Sequence, residues 1–111
     1  MMYYDFEVGN KAYKLRLNTR DIITLEKALG CNPLSIFTKN GAVGIPTVTD
    51  MVAVLHASLQ QYHHGISMSD AYDIFDTYVA EGNMSYDFAN VIVEIYQVSG
   101  IMPKNAVNEK N

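Results

Sequence analysis

The apolar pattern of this chain changes period once, near residue 18, and that change limits the folds open to it. Tyr4, Phe6 and Val8 alternate with Asp5 and Glu7; after Gly9-Asn10, Tyr13, Leu15 and Leu17 alternate with Lys14 and Arg16. Alternation puts every second side chain on one face of a strand. Gly9-Asn10 suits a two-residue hairpin loop, with glycine supplying the positive φ. The resulting register sets Phe6 opposite Tyr13 and Tyr4 opposite Leu15 on one face. It sets Asp5 opposite Lys14 on the other, where unlike charges stabilise the pair by up to about 1 kcal/mol. A lone two-stranded hairpin is marginal in water, so its apolar face must pack on the rest of the chain.

Beyond the hairpin the periodicity is helical. Asn18 or Thr19 can cap a helix over about Arg20–Leu29, with Ile22, Leu25, Ala28 and Leu29 inward and Gly30 as its stop. Asn32-Pro33 restarts the chain in the cap-then-proline order, giving a short piece with Leu34, Ile36 and Phe37. Lys39–Pro46 reads as a loop. Thr47 opens an amphipathic helix whose stripe is Val48, Met51, Val52, Leu55, Leu59 and Tyr62, with Gly65 beyond its last turn. Ile66-Ser67-Met68-Ser69-Asp70-Ala71 resembles a capping box, with Ile66 placed to staple against Ala71. The helix it starts turns Ala71, Ile74, Phe75, Tyr78 and Val79 inward before Gly82. Asn83 or Ser85 caps a last helix that buries Phe88, Val91, Ile92, Ile95 and Val98 before Gly100.

The expected fold is therefore α+β: an N-terminal two-stranded antiparallel β-hairpin packed on a bundle of about four to five helices. It forms a single domain over residues 4–101, followed by a polar, aperiodic tail at 102–111 expected to be disordered. The 111 residues are 49% apolar and 18% charged, which excludes a disordered chain or a coiled-coil rod. The single cysteine, Cys31, excludes an internal disulfide framework. No apolar run approaches the ~20 residues that span a bilayer, and Met1–Glu7 has no secretory-signal pattern. A soluble, cytoplasmic domain is the expectation.

Charge is distributed unevenly. Residues 1–39 balance to +2, whereas residues 40–103 contain no Lys or Arg and balance to −7. A polyanion needs clustered cations on its partner, so neither nucleic acid nor an anionic membrane surface is an expected ligand. A basic or apolar protein partner is open; the plainer reading is a solubilising acidic surface.

Catalytic and metal chemistry find little support. His63 and His64 are adjacent, about 100° apart on a helix, and His56 lies two turns before His63, so solvated histidines near a helix C-terminus are the expectation. Asp70, Asp73 and Asp76 recur every third residue, rotating about 60° at each step, and read as a solvated acidic face. Cys31 has no activating base in its neighbourhood of sequence. Gly41-Ala42-Val43-Gly44 lacks the spacing and the lysine of a phosphate loop. No enzyme activity, metal or cofactor is expected. Eight tyrosines, four phenylalanines and six methionines are a generous apolar supply. Tyr72, Tyr86 and Tyr96 fall off the core stripes, and Tyr and Met give adaptable contact area for partner helices.

The order of elements resembles a known family. Phe6–Leu17, with its Gly9-Asn10 turn, resembles the opening hairpin of small phage tail assembly chaperones, including those related to gene transfer agent tail proteins. Leu25-Glu26-Lys27-Ala28-Leu29-Gly30 looks like their first helix, and Met51–Leu59 and Gly65–Ala71 resemble their middle helices. The resemblance spans about residues 4–101. It implies a non-enzymatic siphophage or prophage chaperone that binds the tape measure protein, helps recruit tail tube subunits and is absent from the finished virion. Some members of that family are also made as a longer product by programmed frameshifting. The family supplies no catalytic residues to carry over, and the Lys39–Pro46 loop and the histidine pair match none of its motifs. A helical layer bordered by Met and Tyr could shield an apolar client helix, so the expected contact is on the exposed faces of the helices at about 47–63 and 68–81, with Met68 and Tyr72 as anchors. A homodimer through an exposed apolar stripe is an open possibility. The alternatives are a structural tail or head-tail component retained in the virion and, more remotely, an enzyme, a metal-binding regulator or a transcriptional regulator.

Overall fold

The computed structural model describes residues 2–39 and 44–104. The chain runs β1 (Tyr4–Val8), β2 (Lys11–Leu15), α1 (Thr19–Leu29), a 3-10 turn (Pro33–Phe37), α2 (Val48–Leu59), α3 (Met68–Ala80), a second 3-10 turn (Ser85–Asp87) and α4 (Phe88–Val98). It is the hairpin-and-helices α+β fold the sequence predicts. The expected register is observed, with Tyr4 opposite Leu15, Asp5 opposite Lys14 and Phe6 opposite Tyr13. Gly9 and Asn10 both take positive φ, 61° and 64°, as a turn matching strand twist requires.

The helix starts follow the capping signals. Asn18 Oδ1 accepts from Asp21 N–H at 2.9 Å, and Thr47 Oγ1 from Asp50 N–H at 3.1 Å. Ser67 and Asp70 exchange both bonds of a capping box. The last helix departs from expectation. It is entered through the 3-10 turn, where the Asp87 carboxylate accepts from Met84 N–H at 2.8 Å. Asn83 instead closes α3, donating to the Tyr78 carbonyl at 2.9 Å.

The centre of the molecule is α2. It packs against α1, α3, α4 and β2, and buries Met51, Val52, Val54, Leu55, Ala57, Ser58 and Leu59. The single stripe read from the sequence is therefore corrected. Val48 and Tyr62 are exposed, while Val54 and Ala57, outside that stripe, are buried. A helix apolar on several sides is one surrounded by its neighbours. Ser58 is tolerated there because its hydroxyl donates to the Leu55 carbonyl at 3.0 Å.

The hairpin sits across α2, α3 and α4. Phe6 enters an aromatic cluster with Tyr78 and Phe88, at centroid distances of 5.5 and 5.7 Å. Polar clips fix its edges. Arg16 N–H donates to the Ser58 carbonyl at 3.0 Å, Leu17 N–H to Ser99 Oγ at 2.9 Å and Gly9 N–H to Glu81 Oε2 at 2.8 Å.

Several assignments of individual side chains are also corrected. Tyr96 is not peripheral; it is the largest fully buried side chain. Its hydroxyl donates to the Pro33 carbonyl at 3.0 Å, and burial pushes its pKa well above the usual tyrosine value. The turn at Pro33–Phe37 covers this side of α4, with the Phe37 ring edge-on to Tyr96. Ala28 and Val79, expected inward, are exposed, as is Leu34 of the short piece. Val98 is only half-buried. Ile101 and Met102 pack half-buried against the core. The expected loop falls partly, and the expected tail mostly, outside the described residues.

His63 is half-buried, not solvated: its Nε2 accepts the Lys14 backbone N–H at 2.9 Å, with the Tyr13 ring edge-on at 5.3 Å. An imidazolium has no lone pair to offer there. Burial, and then the Lys14 ammonium, hold the imidazole below the ordinary histidine value. With the folded pKa lowered, this clip stabilises the fold fully above about pH 6.5 and is lost as pH falls below that. Urea unfolding should therefore show a smaller acid-induced loss of stability in His63→Gln than in the native chain; equal losses would remove His63 from this role.

Candidate functional site

Helix geometry gives α3 two apolar sectors. Ala71, Ile74, Phe75 and Tyr78 form the buried arc. At 100° per residue, Met68, Tyr72 and Val79 lie together on one flank of that arc, with Phe75 at the junction. Met68 is half-buried and Tyr72 is 56% exposed. This flank does not meet another helix squarely. It forms one wall of a surface groove of about 540 Å³.

The floor and second wall come from the other helices. Val48, Val52 and Ala53 of α2 form the floor, and Ala28 stands on the α1 side. Two of these are alanines at the junction of three helices, where longer side chains would close the space. Asp76 is the charged residue on the lining. Both residues singled out from the sequence, Met68 and Tyr72, lie on this groove. Ala28 and Val48 were missed as surface residues because each fits the core stripe of its own helix. The legible signal was an excess: α3 has more apolar positions than one buried arc can hold.

A second, polar hollow of about 810 Å³ lies at the other end of the α1–α2 seam, with Arg20, Asp21 and Thr24 on one side and His56, Gln60 and His64 on the other. Burial raises the Asp21 pKa above the usual carboxylate value, and its Oδ2 has no hydrogen-bond partner. The three aspartates of α3 are not brought together. Asp70 is engaged in the capping box, Asp76 faces the groove, and Asp73 borders a shallow hollow under the hairpin turn. Cys31 is a half-buried free thiol. Among the described residues, no three His, Cys, Asp or Glu side chains gather closely enough to hold a metal ion, and no helix is long and apolar enough to cross a membrane. Residues 41–43 of the glycine loop lie outside the described residues.

Further exposed apolar side chains lie elsewhere on the described residues. Tyr86 and Met84 project from the turn before α4. Tyr62 stacks edge-on with Tyr3 at 5.4 Å, and Lys14 Nζ lies 5.1 Å from the Tyr3 ring centre.

Fold and groove define a small hairpin-and-helix domain with an apolar surface hollow walled by three helices. The chain belongs to the family of unknown function DUF6096, which it matches over residues 4–110. No curated protein and no solved structure is significantly similar to it.

The two kinds of groove residue should respond differently to substitution. Tyr72→Ser should change unfolding free energy by no more than about 0.5 kcal/mol, because the ring is mostly in solvent. Phe75→Ala should cost about 3–5 kcal/mol, because that ring is core as well as lining. Urea denaturation of both variants measures this; a large loss in Tyr72→Ser would make Tyr72 a structural residue.

Proposed function

We propose that this protein is a non-enzymatic tail assembly chaperone of a phage or prophage, working in the host cytoplasm and shielding apolar helices of the tape measure protein. The carrying observation is the groove itself: Met68, Tyr72 and Val48 leave adaptable apolar area at the surface of an otherwise well-filled domain. A thioether and an aromatic ring tolerate varied client side chains, as transient shielding of a long helix demands. The hairpin, first-helix and middle-helix resemblances support the same reading.

The acidic balance of residues 40–103 fits a protein client better than nucleic acid. A transient chaperone also needs modest affinity, such as an interface smaller than the standard of about 800 Å² per partner supplies. Recruitment of tail tube subunits would use a surface other than the one holding the client helix.

Coexpression with the long helical protein of the same tail operon tests the proposal. The native chain should keep that protein soluble and co-purify with it, and Val48→Glu/Tyr72→Glu should reduce recovery by about tenfold or more. The chaperone should be missing from purified particles. Failure to improve solubility would overturn the reading, and stoichiometric recovery in particles would make the protein a retained tail component.

A further inference from the structure

The two edges of the β1–β2 sheet differ. On β2, Lys14 N–H donates to His63 Nε2 at 2.9 Å and Arg16 N–H to the Ser58 carbonyl at 3.0 Å. Groups used in this way point away from β1, so Lys14 and its cross-strand neighbour Asp5 are a non-hydrogen-bonded pair. Asp5 therefore also turns its N–H and C=O away from β2, and Glu7, two residues on, does the same. Among the described residues these backbone groups of Asp5 and Glu7 have no hydrogen-bond partner. At the turn, Gly9 N–H donates to Glu81 Oε2 at 2.8 Å, which ends the open stretch. β1 is thus an edge strand that presents two donors and two acceptors.

Charge on this edge is unbalanced as well. Asp5 and Glu7 are exposed and share the solvent face of the strand. Glu7 stands opposite Ala12, and Asp5 opposite Lys14. The Lys14 ammonium lies over the rings of Tyr3 and Tyr62, 5.1 and 6.0 Å from their centres. Arg16 donates to the Met2 and Val98 carbonyls, each at 3.0 Å. The ion pair found among the described residues is Lys39–Asp50, so neither β1 carboxylate is ion-paired there.

A second copy does not suit this edge. The antiparallel β1–β1 register that uses both residues sets Asp5 against Glu7 twice, with like charges directly opposite. The β2 edge of another copy is no substitute, since its outer N–H groups are taken. Charges on an edge strand keep copies apart in this way.

We propose that β1 is a docking edge for an extended segment of a protein partner that carries Lys or Arg at every second position. Such a segment adds a strand to the sheet through the backbone groups of Asp5 and Glu7. Cations at i and i+2 repeat every ~6.7 Å, the spacing of Asp5 and Glu7, in either strand direction. The residue between them turns to the face carrying Tyr4 and Phe6, where an apolar β-branched side chain suits a strand. Backbone bonds hold the segment, and the two carboxylates decide which one is accepted. The edge shares no residue with the groove, so this inference stands apart from the chaperone reading.

Fluorescein-labelled peptides of about nine residues test this by anisotropy with the purified full chain. One alternates Lys with Val and one alternates Glu with Val. A third places the same number of lysines at every third position, which puts successive lysines on opposite faces. The alternating Lys peptide should bind about tenfold more tightly than the other two. Amide hydrogen exchange followed by NMR should slow at Asp5 and Glu7 when it binds. Asp5→Lys/Glu7→Lys should transfer the preference to the Glu peptide, a gain that misfolding cannot produce. Equal binding of the two lysine peptides would make the edge a generic acidic surface and overturn the proposal. Unprotected Asp5 and Glu7 amides, a preference unchanged in the double variant, or no saturable binding would overturn it too. So would a concentration-dependent dimer that protects the same two amides, which would assign the edge to a second copy.

Discussion

The enclosure of α2 is the constraint from which the rest of the structure follows. With α1, α3, α4 and β2 all resting on it, one strip of α2 remains near the surface, through Val48, Thr49, Val52, Ala53 and His56. The groove is that strip. α1 and α3 approach α2 from either side but do not close over it, because Ala28 and Ala53 are short and the α3 flank turns Met68 and Tyr72 outward. The same apolar burial that stabilises the domain therefore sets the position and width of its candidate site.

The hairpin has a supporting part in this arrangement. Its apolar face adds Phe6, Val8, Leu15 and Leu17 to the core, and its edges are tied down by side chains from distant segments: His63, Glu81 and Ser99. These clips hold the C-terminal ends of α2, α3 and α4 against a common sheet. Two of the helices so held, α2 and α3, form the floor and one wall of the groove.

Elements with one local cause were legible in the sequence. The hairpin register follows from alternation and a two-residue turn; Asn18, Thr47 and Ser67 cap their helices because a short polar side chain precedes each apolar run. What failed depends on which neighbour covers a residue. Tyr96 sits beside the Ile95 stripe and is buried only because the Pro33–Phe37 turn crosses that side of α4. His63 looked solvated because nothing local shows that β2 will present an unpaired N–H to it. Ala28 and Val79 looked inward because their spacing is right, yet both are left exposed. Met68 and Tyr72 were legible as contact candidates because they are too apolar for surface positions; the groove around them is a three-helix property that no single periodicity contains.

The most direct test of the central claim is photo-crosslinking in cells assembling tails. A benzophenone amino acid would be placed at Tyr72 in the groove and, as a control, at exposed Glu94 on α4. The account predicts a crosslink from position 72 to the tape measure protein and none from position 94. Equal crosslinking at the two positions, or none at position 72 while the complex is intact, would contradict it.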